Sequence, residues 1–183
     1  FDTMVCGPSV KELTALGFLT PARIFAPSTV DLTGVKKRGG DFSISDLEGA
    51  IAKSSITGDC ISHYQKLCPQ ARAIAFCVSV AHAKATADAF NKKGIPSESI
   101  DGSMDKDYRK QVINRFREGR TLVLTSCDLV SEGFDLPSIE VGLLLRPTAS
   151  LGLHLQQIGR CLRTTKGKSN AIILDHAGNC LRH

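Results

Sequence analysis

Two arginines and a glutamine in the last fifth of the chain have the types and spacing to hold an anion. Gln156, Arg160 and Arg163 stand at i, i+4 and i+7 within Ser150-Leu151-Gly152-Leu153-His154-Leu155-Gln156-Gln157-Ile158-Gly159-Arg160-Cys161-Leu162-Arg163. On a helix those positions form one stripe. No acidic residue lies in the segment to neutralise the two guanidinium groups. Each is a planar fork that matches phosphate oxygens. The chemistry on offer is stabilisation of negative charge on a phosphate, and the competing reading is a solvated basic helix face. Gly159 favours the first. A glycine inside a helix costs about 1 kcal/mol relative to alanine, which predicts close approach to the backbone there. Leu151, Leu155, Ile158 and Leu162 form a second, apolar stripe, which predicts that this side is buried.

The elements that must position this helix follow a βα rhythm. Ala73–Val78, Thr121–Thr125, Val141–Leu145 and Ala171–Asp175 read as short buried strands, and Ser99-Ile100-Asp101-Gly102 as a strand or turn. Helices are predicted from Ala81 to Lys93, stopped by Gly94, and from a cap at Ser103 or Asp105 to Gly119. Such alternation predicts an open parallel sheet with helices on both faces. Ligands of such sheets meet the carboxyl ends of the strands. Ser79, Asp101-Gly102, Thr125-Ser126, Arg146 and Asp175 fall there. Upstream, Ser9 and Glu12 have capping-box spacing before a helix that Gly17 ends. Ala22-Arg23-Ile24-Phe25 reads as extended. Ser45 and Glu48 give a second capping-box signal, and Leu47, Ile51, Ile61, Tyr64 and Leu67 predict one broken or two short helices before Pro69. The connector over 31–45 carries Lys36-Lys37-Arg38-Gly39-Gly40, which suits either a phosphate backbone or a plain exposed loop. Residues 1–70 are expected to be an entry segment and helical connector packed on a core of 71–183, within one structural domain.

Composition excludes several classes. The 183 residues are 42% hydrophobic and 22% charged, ordinary for one globular domain. No apolar run is long enough to span a bilayer and no signal peptide is visible. A start at Phe1 and an end at Arg182-His183 predict a piece of something longer. The net charge of +5 is mild for a nucleic-acid binder. Seven cysteines without a CxxC pair fit neither a zinc site nor a disulfide scaffold and predict reduced, mostly buried thiols. No tryptophan and few aromatics argue against a base-stacking platform.

Gln156-Gln157-Ile158-Gly159-Arg160-Cys161-Leu162-Arg163 resembles motif VI, QxxGRxxR, of superfamily two helicases. Three further segments agree in order. Phe76-Cys77-Val78-Ser79 looks like motif IV, Ile100-Asp101-Gly102 like the strand and turn that follow it, and Thr125 to Pro137 like motif V. The resemblance covers Gly7 to Gly178. Gly7-Pro8-Ser9, Cys77–Ala83, Ser131–Asp135 and Ser150–Leu153 are similar to the RadD-like (YejH-like) DNA-repair helicases of bacteria and phages. One departure is Glu132, where many members of the superfamily carry Arg.

The resemblance implies an α/β, RecA-like (P-loop NTPase-type) open parallel sheet with helices on both faces, the second lobe of a two-lobe motor. Walker elements are missing. Gly167-Lys168-Ser169 mimics the end of a Walker A loop, but Leu162 stands where its first glycine must be, and Asp175-His176-Ala177-Gly178 lacks the second acid of a Walker B box. ATP and Mg are therefore expected to be held mainly by a missing N-terminal RecA-like lobe of the same polypeptide. The resemblance assigns Arg160 and Arg163 as arginine fingers, with Gln156 near the γ-phosphate or the attacking water. It gives Gly133 close approach to the nucleotide and Asp135 a ribose hydroxyl, and it places Ser79, Gly102, Thr125 and Ser126 against one nucleic-acid strand. DNA is the expected partner, with RNA left open, in a cytoplasmic protein with no membrane role, whose isolated lobe is inactive. Two other readings use the same chain: a non-catalytic RecA-like module that binds nucleic acid or protein, and the translocase subunit of a restriction system.

Overall fold

The structure is a computed structural model that describes residues 7–27, 30–127 and 139–183. In chain order, α1 (Val10–Ala15) leads to β1 (Ala22–Phe25), then to a hairpin of β2 (Lys37–Arg38) and β3 (Asp41–Phe42), and to helices α2 (Ile44–Ala52) and α3 (Ile56–Leu67). The expected alternation follows: β4 (Ala73–Phe76), α4 (Val80–Lys92), β5 (Ser97–Ile100), α5 (Lys106–Arg117), β6 (Val123–Ser126), β7 (Val141–Leu144), α6 (Leu151–Cys161), β8 (Ala171–Asp175) and α7 (Asn179–Arg182).

Six strands form one sheet in the order β1-β8-β7-β4-β6-β5, and every neighbouring pair is parallel. The open parallel sheet expected from the sequence is present. The entry segment does more than pack on the core, because it supplies the edge strand β1, in register with β8 from Ala22 beside Ala171 to Phe25 beside Leu174.

β4 shows why the strands read as continuous apolar runs. Its residues are all buried, and alternation sends them to two different cores. Ala73 and Ala75 join Leu47, Ile61, Tyr64, Phe90 and Val123 on the side of α2, α3 and α4. Ile74 and Phe76 join Val112, Phe116, Leu124, Leu144 and Cys161 on the side of α5 and α6. Small residues face one layer and large ones the other, which sets how close each layer lies.

The helices start where their capping residues dictate. Ser9 and Glu12 close a reciprocal capping box on α1. Asp105 accepts from the amides of Asp107 and Tyr108 at the start of α5. The second capping-box expectation is corrected: α2 begins at Ile44 with Ser43 as its cap residue and no side-chain cap bond. Ser45 instead pairs its hydroxyl with that of Ser43 at 3.0 Å. Among the described residues no helix is long and apolar enough to cross a membrane.

Candidate functional site

α6 spans the sheet from edge to edge. It leaves the carboxyl end of β7 and begins at Ser150, whose hydroxyl accepts from the amide of Leu153 at 3.3 Å. Its far end lies at the amino edge of the sheet. There the carbonyl of Leu162 accepts from the amide of Thr20 at 2.8 Å, just before β1, and Leu19 bridges Arg163. Lys168 ties this end to the approach of β7. Its ammonium donates to the carbonyls of Ile139 at 2.7 Å, Arg163 at 3.0 Å, and Cys161.

The arginines are therefore placed by two different means. Arg160 stands on the last turn of α6 and is half-buried. Arg163 is exposed and lies beyond the helix, whose cap residue is Leu162; its backbone is held by Leu19 and Lys168. Gln156 is exposed two turns earlier on the outward side. Burial, and then the neighbouring Arg163 guanidinium, push the pKa of Arg160 below the usual arginine value. Among the described residues no three His, Cys, Asp or Glu side chains are grouped as a metal ion needs.

The two expected stripes of α6 are corrected in part: Arg163 lies beyond the helix instead of on it, and only half of the apolar stripe is buried. The buried side is His154, Gln157 and Cys161; of the expected apolar stripe, Leu162 is buried and Ile158 packs partly buried on the core, while Leu151 and Leu155 are 51% and 49% exposed. The inward side is decided by Gly142 of β7. A Cβ built there would stand 2.7 Å from Cys161 Sγ and 3.1 Å from Ile173 Cδ1, so the bare backbone lets α6 lie close on the sheet. Gly159, by contrast, has no atom within 4 Å of where its Cβ would be.

The strand-contact candidates lie at the opposite, carboxyl edge, along β4, β6 and β5. Ser79 is half-exposed and caps α4, accepting from the amide of His82 at 3.2 Å. Its hydroxyl proton stays available for an outside acceptor. Gly102 is exposed past β5, and its carbonyl accepts from Arg109 at 2.9 Å. Thr125 departs from expectation. It is fully buried, and its hydroxyl donates to the carbonyl of Ala83 at 2.7 Å, so it binds α4 to the sheet and faces no solvent. Ser126 is 2% exposed on the other face, with its hydroxyl on the carbonyl of Cys127 at 3.3 Å. Strand alternation sends these two neighbours to opposite layers instead of off the strand end. Gly133 and Asp135 lie outside the described residues.

Sequence reasoning missed Lys168 as a tether and Asp41 as an anchor. Asp41 accepts from the hydroxyl of Thr148 at 2.9 Å and the amide of Ala149 at 2.7 Å. No local pattern links residues so far apart in sequence.

Sheet order, strand direction and the motif VI helix together define a RecA-like lobe. The chain belongs to the family described as "Helicase conserved C-terminal domain", matched over residues 58–165, and is a C-terminal lobe of the superfamily two type. A "51.5 kDa protein" of Lactococcus phage (isolate 7-9) is 34% identical over the whole chain, which covers 40% of that protein. "Putative ATP-dependent helicase IRC3" of Saccharomyces cerevisiae is 30% identical over 81% of the chain and 22% of its own length. Among solved structures, a fragment of "a putative HsdR subunit of a type I restriction enzyme" from Vibrio vulnificus superposes with a TM-score of 0.67 at 23% identity, over 91% of this chain and 33% of that one. The DEAD-box protein SrmB of E. coli gives 0.56 at 26% identity, over 74% and 75%. This chain spans 40% or less of these two curated relatives.

Proposed function

We propose that this lobe serves an ATP-dependent helicase or translocase by setting Arg160 and Arg163 against the phosphates of ATP held by a second, N-terminal lobe. What supports this most is the end of α6: Arg160 half-buried on its last turn, and Arg163 two residues past the helix, held there by its backbone. Arg160 and Arg163 stabilise charge that develops on the transferred phosphoryl group, and Gln156 orients the attacking water. The open space at Gly159 leaves room for the ligand or the other lobe to reach the helix backbone. Half-exposed Leu151 and Leu155 give that lobe an apolar flank to cover. At the other edge, Ser79 and Gly102 contact the sugar–phosphate backbone of one strand. DNA is the substrate favoured by the sequence resemblance, and phosphate contacts by themselves serve RNA equally.

The test uses the intact protein that carries this lobe. Arg160→Ala or Arg163→Ala should cut ATP turnover by about 10²-fold or more, roughly 3 kcal/mol of transition-state stabilisation. Strand affinity without nucleotide should hold within about twofold, because the loss lies in transition-state charge. The double variant should be scarcely worse than the poorer single one. Normal turnover in both single variants would sink the motor reading.

A further inference from the structure

The β2–β3 hairpin takes no part in that reading, yet it is held with unusual care for four paired residues. Gly39 and Gly40 turn it with φ of 58° and 86°, the left-handed values that a two-residue hairpin turn requires. Its base is closed by the amide of Lys36 on Asp46 at 3.1 Å and the amide of Ser43 on the carbonyl of Lys36 at 2.8 Å. Its second strand is pinned by Asp41, which takes Thr148 and Ala149 on one oxygen and Arg146 on the other at 3.4 Å. Phe42 lies under two cations, Lys37 at 5.7 Å and Arg182 at 5.4 Å from the ring centroid.

This anchoring presents positive charge and leaves it unopposed. Lys37 and Arg38 are exposed, and neither pairs with a carboxylate among the described residues. Asp41 does not offset them, since its charge is met by Arg146 and two further donors. Arg146 and Thr148 follow β7, so the hairpin sits at the carboxyl edge, the edge that carries Ser79 and Gly102. The anchor also touches the start of α6. The amide of Ser150 donates to the Thr148 hydroxyl at 3.0 Å, and Ser150 caps the helix. From there α6 runs 11 residues to the arginines, about 16 Å at 1.5 Å per residue.

We propose that the β2–β3 hairpin is a second grip on the sugar–phosphate backbone of the tracked strand, and that Asp41 and α6 carry its occupancy to the arginines at the opposite edge. This rests on the motor reading of the lobe. Lys37 and Arg38 meet the phosphates. A pull on the hairpin reaches Thr148 and Ala149 through the Asp41 carboxylate and so loads the start of α6, whose other end carries the arginines.

The experiment measures, in the intact protein, anisotropy of labelled oligo-dT and oligo-rU across a salt series, together with ATP turnover with and without strand. Lys37→Gln/Arg38→Gln should weaken binding about tenfold at moderate salt and flatten the log–log salt slope by about 1.4, two single-strand phosphate contacts' worth. The dT and rU arms identify the strand type. Asp41→Ala should weaken strand binding by less than Lys37→Gln/Arg38→Gln, since the cations remain, and should abolish most of the strand's stimulation of turnover at saturating strand. Thr148→Val, which removes one donor to Asp41 and nearly keeps its shape, should give the same uncoupling in milder form. Unchanged affinity and slope in the double glutamine variant, or full stimulation in both Asp41→Ala and Thr148→Val, overturns the proposal while the motor reading stands. Normal turnover in both Arg160→Ala and Arg163→Ala overturns the motor reading instead, whatever the hairpin does.

Discussion

Lys168 shows how much one side chain settles at this site. An ammonium has three donors, and here all three go to carbonyls: Ile139, Cys161 and Arg163. Two of these close the carboxyl end of α6, where a positive charge also complements the helix dipole. Burial lowers the lysine's pKa, with Cys161 and Glu140 acting the other way. Lys168→Met keeps the stem and removes the donors. It should cost about 1–3 kcal/mol, read as a lower urea midpoint, and it should reduce ATP turnover in the intact protein by releasing the Arg163 backbone. An unchanged midpoint would mean that water satisfies those carbonyls equally well. In the sequence Lys168 is legible only as part of a failed Walker A loop. Its partners come from a helix end and from the approach to a strand 29 residues away, and a linear pattern carries no sign of that.

At the scale of elements, the seat of α6 on β7 decides where the arginines point. Gly142→Ala would press a methyl against Cys161 Sγ and Ile173. Cysteine has a short, stiff side chain, so the helix must rise or the strand must shift, at about 1–3 kcal/mol. The expected result is a lower melting temperature for Gly142→Ala and recovery of most of the loss in Gly142→Ala/Cys161→Ala, where the sulfur makes room. Failure of the second change to rescue the first would place the strain at Ile173. The existence of this helix was legible from periodicity; its end was not, since Arg163 was expected on the same helical stripe and lies beyond the cap residue Leu162. Nor was its buried side. Leu151 and Leu155 outrank His154, Gln157 and Cys161 in hydrophobicity, but a bare glycine on the strand beneath selects the inward face. The same limit explains Thr125 and Ser126. Their position at a strand end is plain in the sequence, while their directions depend on which layer each pleat faces.

For the whole molecule, the strands of the large sheet were legible one by one, and so was the parallel sense of the sheet; the antiparallel β2–β3 hairpin was not, because its residues read as a polar connector. The order of the sheet strands was not legible either, because β1 joins the far edge through pairing with the last strand, and nothing local marks that partner. One consequence of assembly is testable by acid. His176, at the end of β8, is fully buried and stacks on His63 of α3 with ring centroids 5.1 Å apart. Burial, with His63 adding to it, lowers its pKa from 6.5 to about 4, against smaller opposing effects of Asp59 and Asp175. The folded protein therefore keeps this ring neutral where the unfolded chain would protonate it. The stabilisation is whole above pH 6.5 and is lost as pH falls through that window toward 4, by up to about 3 kcal/mol. Denaturant midpoints between pH 7 and 4.5 should drop accordingly, and His176→Gln should flatten the drop. An equal slope in the variant would assign the acid sensitivity to other groups. The pairing of β1 with β8 also imposes an order on manufacture. A ribosome releases Ala22–Phe25 long before Ala171–Leu174, so the first strand waits, edge unpaired, while almost the entire lobe emerges. Leu19 and Thr20 wait with it for Leu162 and Arg163. Closing so long a loop is slow and non-local, and the β1–β8 seam, which continues the one at Arg163, is the last to be sewn. A nascent chain stalled before Ala171 can hold its central strands and still lack a competent site.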